Sequence, residues 1–526
     1  MAKSAARSHG RGAAGAQPAH LPPGRSLVRS RFLVRVPRGD GKAILFHSLF
    51  GTSLVLNPEA EALLGFFRIP TTIARALAAS RRGNLVPALR KLVERLFLVD
   101  PTADEREEFA RRMRPQAPET GAHLHCLVLL AAEPCNLACP YCIKDRLMDL
   151  RPDRRQARMT TETARRAIDA FLAMAARNGR SDLYLQFRGG EPLLNAAVVL
   201  EATRHMRARW TRGPVHASLV TNATLVTEAS ARALADLRVS VEVSIDGPRA
   251  VHDAVRFTKG GLPTYDAVLT GLARLLAAGV EVTNVNATLT AETLPSIGPF
   301  FLATLARLGV RHLNLEPDVL RPAHPDPRAL AGRLLALRAE GRAHGIVVSG
   351  CWARGLRAID EVCRGAALPP PADYGMLVVD ALGKVVRWEY NGEGDLGPAA
   401  DLPAVLASPA YRLHVESRSP GRIPECVGCE VEGLCQGNAS LALVYERATG
   451  RAGLFAHRCE LIRAMTRGVL VETDLPVSQR AQAEANPAEI APGPPGPRRK
   501  DRGGAAPAMR PSGERMRGAG HPVERV

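Results

Sequence analysis

Between Leu124 and about Val348 short β-rich runs alternate with amphipathic helical stretches, and that alternation leaves few folds open. Six runs read as strands: Leu124–Leu130, Leu183–Phe187, His216–Thr221, Ser240–Ile245, Val282–Leu289 and His312–Leu315. Helical periodicity fills the gaps at Thr161–Arg177, Asn195–Thr211, Thr227–Asp236, Tyr265–Ala278 and Leu294–Leu308. A helix between successive strands calls for a parallel sheet with right-handed crossovers. The expected class is α/β: six βα units over residues 120–348, a partial relative of the eight-fold barrel, with functional residues at the carboxyl ends of the strands. Polar motifs stand where that rule needs them. Three cysteines follow the first run, Gly189-Gly190-Glu191-Pro192 the second, Thr221-Asn222 the third and Asp246-Gly247-Pro248 the fourth.

Cys135, Cys139 and Cys142 have CxxxCxxC spacing. Three thiolates at that spacing can bind three irons of a 4Fe-4S cube and leave the fourth without a protein ligand. An open metal position marks a site that does chemistry. A half zinc site or a reduced structural thiol cluster would also accommodate the three cysteines taken alone. With Tyr141 before the last cysteine and the motifs downstream, the run resembles the radical S-adenosylmethionine (SAM) signature. That resemblance implies a cluster whose open iron chelates SAM and whose electron cleaves it to a 5′-deoxyadenosyl radical. It assigns Cys135, Cys139 and Cys142 to the metal, and Tyr141, Gly189, Gly190, Glu191, Asn222, Ser244, Asp246 and Arg256 to SAM.

The individual roles follow the same resemblance. Glu191, beside glycines that let the backbone pass close to a ligand, would receive the methionyl amine. Ser244-Ile-Asp246-Gly-Pro248 with Arg256 resembles the sulfatase-maturase branch, where a hydroxyl, a carboxylate and an arginine fork hold the ribose and the SAM carboxylate. Asn222 stands in Thr-Asn-Ala where the family usually has Thr-Asn-Gly, so a positive φ at the third position would strain Ala223. Asn286 and Glu316, near the ends of strands five and six, fit either site or scaffold. No catalytic acid or base stands out.

Residues 31–110 read as a separate module. Three short β runs (Phe32–Val36, Ala43–Phe46, Ser53–Val55) precede a helix opened by Asn57-Pro58 at Glu59–Phe66, with further helices at Thr71–Ala79 and Leu85–Leu96. The order resembles the winged-helix peptide-recognition element of peptide maturases; an amino-terminal cap on the barrel is the alternative. At the other end, Cys426, Cys429, Cys435 and Cys459 make a closed four-thiol set that zinc or a 4Fe-4S cube would satisfy. Residues 349–470 resemble a SPASM domain, which normally carries two auxiliary clusters. Its hairpin is present at Gly375–Asp380 and Val385–Tyr390, but Asp373 or Tyr374, Trp388 and Ala439 stand where three of the family's thiols would be. The resemblance implies that the inner cluster is gone and one auxiliary 4Fe-4S cluster remains, with Trp388 and Tyr374 filling the vacated volume. Cys126 reads as a small core residue, and Cys351 and Cys363 as structural.

The net charge of +18 sits largely in the ends: six Lys/Arg and no acid in residues 1–31, nine against five acids in residues 475–526. Both ends, 1–30 and 475–526, are rich in Gly, Ala, Pro and Arg and read as disordered basic tails. The body lacks an interleaved basic–aromatic stretch, which makes nucleic acid an unlikely partner. Ten cysteines without a signal-peptide pattern suit a reducing, cytoplasmic setting, and no apolar run is long enough for a membrane span. The resemblance implies a maturase of a ribosomally made peptide, with a precursor peptide or protein as substrate and flavodoxin or ferredoxin as electron donor. The rivals are an anaerobic sulfatase maturase forming formylglycine and, from another class, a basic zinc-containing nucleic-acid-binding protein.

Overall fold

The computed structural model describes residues 21–472, except 81–84, 114–116, 149–151, 354–358, 360–374, 388–393, 418–420 and 438. Asp373, Tyr374, Trp388 and Cys363, the side chain of Cys351, residues 1–20 and the whole of 475–526 therefore lie outside the described residues. Among the described residues no helix is long and apolar enough to cross a membrane.

The amino-terminal strands are β1 (Ser26–Arg29), β2 (Leu33–Pro37), β3 (Ala43–His47), β4 (Ser53–Leu56), β5 (Thr71–Thr72) and β6 (Leu98–Val99). Strand β1 corrects the reading of residues 1–30 as a disordered tail: Ser26–Arg29 pair antiparallel with both β5 and β6. Leu27, fully buried, joins Leu63, Phe67, Leu89, Leu92 and Phe97 in one cluster, and that burial holds the segment. Strands β2, β3 and β4 form an antiparallel meander, and the Asn57 side chain caps helix Pro58–Phe66 by accepting from Ala60 N at 2.9 Å. Predicted helix Thr71–Ala79 begins only at Ile73, because Thr71–Thr72 serve as β5 and Thr72 becomes the N-cap.

Among the described residues the main sheet has ten strands. Seven are parallel and adjacent in chain order: β7 (Cys126–Ala132), β8 (Leu183–Gly189), β9 (Val215–Thr221), β10 (Val239–Ser244), β11 (Val282–Leu289), β12 (His312–Pro317) and β13 (Val347–Ser349). That is one strand more than the six read from sequence, since the three residues of β13 carry almost no pattern. Beyond β7 the sheet continues with β14 (Met376–Val379), parallel to β7, and then antiparallel β15 (Lys384–Val386) and β16 (Asp395–Pro398). The carboxy-terminal hairpin is thus an extension of the barrel sheet. The predicted helix Leu294–Leu308 is broken at Ile297-Gly298-Pro299, leaving a short 3-10 turn and helix Pro299–Arg307.

Alternation along the strands decides which residues meet a ligand. Val239, Val241 and Val243 of β10 and Leu313 and Leu315 of β12 enter the core beneath the helices. Ser240, Glu242, Ser244, Asn314 and Glu316 alternate with them and take the opposite face. The helices pack closely on the strand ends. Ala223, after β9, has φ +58 and no exposed surface, and a Cβ on Gly271 of helix Tyr265–Ala277 would lie 2.1 Å from its carbonyl oxygen. Gly271→Ala is therefore expected to destabilise by about 1–3 kcal/mol through overpacking, despite the better helix propensity of alanine. Gly332→Ala, in helix Pro327–Ala343 with nothing within 4 Å of the added methyl, is expected to stabilise by up to about 1 kcal/mol. Thermal unfolding of the two variants should move in opposite directions.

Candidate functional site

The cysteine loop leaves β7 at Glu133 and is held by its own backbone from two sides. Ala138 N donates to Phe257 O at 2.9 Å, and Leu137 bridges Thr258 in the segment after Arg256. On the other side Gly190 N donates to Ala132 O at 2.8 Å and Glu191 N to Pro134 O at 3.0 Å. A Cβ on Gly189 would stand 2.3 Å from Ala132 O, and one on Gly190 2.3 Å from Pro134 O. Besides any room they make for a ligand, these glycines let the end of β7 and the start of the cysteine loop pass close by.

Four of the expected SAM residues meet around that loop. Glu191, with 1 % of its surface exposed, accepts from Leu193 N at 2.9 Å, Thr221 Oγ1 at 2.8 Å and Asn222 N at 2.8 Å. Burial pushes its pKa up and these three donors oppose the shift. The Asn222 side chain donates to Asn136 Oδ1 at 2.9 Å and points its other hydrogen at Cys135 Sγ, 3.8 Å away. Asn136 in turn donates to Thr224 Oγ1 at 2.8 Å. The expected strain at Ala223 is present, and its N–H is satisfied by Thr221 Oγ1 at 3.0 Å.

Asp246 and Arg256 form the charged centre. Arg256 Nε donates to Asp246 Oδ2 at 2.7 Å and Nη2 to Oδ1 at 3.3 Å, with Asp246 fully buried and Arg256 9 % exposed. The Tyr141 hydroxyl donates to the same carboxylate, Thr288 N reaches it at 2.8 Å, and the guanidinium lies 5.6 Å from the Tyr141 ring centroid. Burial works against the charged arginine, but Asp246, Tyr141 and Cys139 hold its pKa well above the ordinary value. His252 is kept neutral: burial, reinforced by Arg256, pushes its pKa down to about 4. Its Nδ1 then accepts from Asp246 N and its Nε2–H donates to Thr264 Oγ1, both at 3.2 Å, while Thr264 donates to Arg256 O at 2.6 Å. That chain fixes the turn carrying the arginine.

Ser244 ends β10 opposite Asn286 of β11, on the face away from the helices. Asn286 donates to Glu242 Oε2 at 2.9 Å and leaves a buried Oδ1 without a hydrogen bond, whereas Glu316 lies 3.9 Å from Arg458. Asn136, Thr224, His252 and Thr264 were missed as site residues. Asn136 sits inside the cysteine run, but nothing in the sequence marks the other three as neighbours of it.

Cys135, Cys139 and Cys142 are half-buried, with Cys135 in the field of Cys139 and Cys142 and Cys139 in that of Cys142. Burial, opposed by the Leu137 N–H and aided by neighbouring charge, moves Cys135 to about 12; burial also takes Cys139 to about 11, against the pull of Arg256. Without a metal both are thiols at neutral pH, so metal binding must release protons. Cys426 and Cys459 are raised for the same reason, Cys459 to about 12, with Cys429 and Cys435 in their fields. Cys429, Cys435 and Cys459 pack beside Phe46, Val431, Leu434 and Ile462, and Arg463 Nη2 donates to Cys429 Sγ at 3.7 Å. Among the described residues no three His, Cys, Asp or Glu side chains close on a point that one ion could occupy. A cube spreads its thiolates over separate irons.

Residues 132–297 match the radical SAM superfamily. That segment is a radical SAM domain. Enzymes of this superfamily use a 4Fe-4S cluster and SAM, which removes the reading as a zinc-containing nucleic-acid-binding protein. The radical SAM cyclopropyl synthase TigE of Paramaledivibacter caminithermalis is 24% identical over 433 residues, 78% of this chain and 89% of that protein. The serine-type anaerobic sulfatase-maturating enzyme of Bacteroides thetaiotaomicron is 27% identical over 222 residues, 42% of this chain and 51% of that one. Among solved structures, anSMEcpe with bound AdoMet and Cp18Cys peptide aligns with TM-score 0.48 at 20% identity, covering 60% of this chain and 88% of that one.

In this centre Asp246→Asn leaves a buried guanidinium without its carboxylate, and the expected loss is about 3–5 kcal/mol. Arg256→Lys keeps the charge but loses the fork, and should cost less. Chemical denaturation of the two variants checks the order.

Proposed function

We propose that this radical SAM enzyme acts on a ribosomally made peptide, abstracting hydrogen from an unactivated carbon. The observation that carries the reading is the convergence of the Cys135–Cys142 loop, Glu191, Asn222 and the Asp246–Arg256 pair at the carboxyl ends of adjacent parallel strands. Bound there, a 4Fe-4S cluster and SAM would supply the 5′-deoxyadenosyl radical. Cys135, Cys139 and Cys142 would hold the cluster. The Gly189–Glu191 segment and Asn222 would bind the methionyl end of SAM, Ser244, Asp246 and Arg256 its ribose and carboxylate, and Tyr141 would close the wall beside them. The protein's work is to exclude water and to fix the target carbon near the radical.

The residues beyond the barrel suit a peptide substrate. The β2–β3–β4 meander with its following helices offers edge strands to which a leader segment could add. Cys426, Cys429, Cys435 and Cys459 would hold one closed auxiliary cluster, working in electron transfer or as a folding staple. Free thiols in both sets suit a reducing cytoplasm, where flavodoxin or ferredoxin would donate the electron. The sulfatase-maturating relatives favour a second reading, oxidation of a Cys or Ser on a sulfatase.

Replacing Cys135, Cys139 and Cys142 together with Ala should abolish 5′-deoxyadenosine formation from SAM and dithionite while the auxiliary cluster's spectrum persists. Undiminished cleavage would remove the assignment. Calorimetric titration with a precursor peptide should give at least tenfold weaker binding once its leader is removed; equal affinity would return the amino-terminal module to the role of a cap, and turnover of a sulfatase peptide alone would favour the second reading.

A further inference from the structure

Lys144 and Glu133 bracket the cysteine loop. Glu133 stands two residues before Cys135, and Lys144 two after Cys142. Their side chains are 2 % and 4 % exposed and form an ion pair. Lys144 Nζ also donates to the Glu133 carbonyl oxygen at 2.7 Å, so the lysine grips both the side chain and the main chain of its partner. The base of the loop is thereby closed from within. The other Glu133 oxygen accepts from Ala381 N at 3.4 Å, in the turn between β14 and β15. A second buried cation acts on the same turn: Arg154 pairs with Asp380 and, at 2.8 Å, with Asp395. Asp380 meanwhile accepts from Lys384 N at 2.8 Å and Leu382 N at 3.0 Å, which shapes the turn.

We propose that Glu133 and Lys144 are positioning residues for the SAM-cleaving cluster, a buried ionic staple that closes the cysteine loop at its base and registers it against the carboxy-terminal hairpin. The inference rests on the reading that Cys135, Cys139 and Cys142 hold that cluster. Its physical ground is directionality. A buried ion pair is no more stabilising than a well-packed apolar pair of the same volume, because both ions must be desolvated. What it adds is a fixed geometry, since a lysine with hydrogen bonds to two oxygens of one residue cannot slide along it. The thiols need that fixity: three sulfurs must present a cube at one orientation toward SAM, and the segment that carries them is a loop.

Staple and cluster can be separated by using a variant without a lone buried charge. In Glu133→Gln/Lys144→Met both ions are removed together, and the protein is reconstituted anaerobically beside wild type and the Cys135/Cys139/Cys142 triple-Ala variant. Iron and sulfide content, circular dichroism and the EPR spectrum of the dithionite-reduced protein with and without SAM are then recorded. A folded double variant that keeps the auxiliary cluster but loses at least fivefold of the SAM-shifted signal supports the staple. Glu133→Gln alone keeps the hydrogen-bonding oxygen but leaves the buried Lys144 ammonium unpaired, so it should lose at least as much of the signal as the double variant. Wild-type iron content and an unchanged SAM-induced shift in the double variant would overturn it. If wild type itself shows no SAM-shifted signal that the triple-Ala variant abolishes, the cluster assignment fails, and the staple falls with it for that separate reason.

Discussion

One carboxylate joins three parts of the chain that are far apart in sequence. Asp246 accepts from Tyr141 in the cysteine loop, from Arg256 after the following helix, and from Thr288 N on the next strand. It leaves the sheet at the end of β10, so its position is set by a strand anchored in the core through Val239, Val241 and Val243. A fully buried carboxylate is tolerable only with such partners. The cysteine loop, the arginine turn and β11 are therefore not independent pieces. Each is held because the other two satisfy the same charge.

The amino- and carboxy-terminal segments are joined in a similar way. Arg106, in helix Glu105–Met113, makes a bidentate contact with Glu432 at 2.7 Å for both bonds and donates to Ile423 O at 2.8 Å. Glu432 has 1 % of its surface exposed and lies between Cys429 and Cys435. Val34, Val36, Ile44 and Phe46 of the small meander share a cluster with Val431, Leu434 and Ile462 from the same region. The surroundings of the four carboxy-terminal thiols are thus built partly from residues at the beginning of the chain.

The site was legible where it depends on side-chain type at a strand end. Cys135, Glu191, Asn222 and Asp246 each follow an alternating or continuous apolar run, and the structure gathers them as that pattern requires. The contacts that tie them together were not legible, because many use the backbone: Asn222 N on Glu191, Thr288 N on Asp246, Phe257 O on the loop. Main-chain donors leave no trace in residue identity. Gly189 and Gly190 were singled out for a ligand, and the structure adds a second need for them, since the Ala132–Pro134 backbone passes where a Cβ would stand. Strand β1 was lost in a basic, glycine-rich context, where four residues supply too little pattern to override composition. The pairing of β14 with β7 had no local signal at all.

That last pairing has a consequence for how the molecule is made. Cys126 through Leu129 wait for Met376 through Val379, which leave the ribosome after every other strand of the parallel sheet. Until then β7, which delivers the chain into the cysteine loop, is an open edge with unpaired amides and carbonyls. Contacts so distant in sequence are slow to form, because the intervening chain must be ordered first. The nascent protein therefore passes through a stage in which six parallel strands can associate while the flank of the seventh is bare. The hairpin then covers that flank and completes the strand that leads into the cysteine loop.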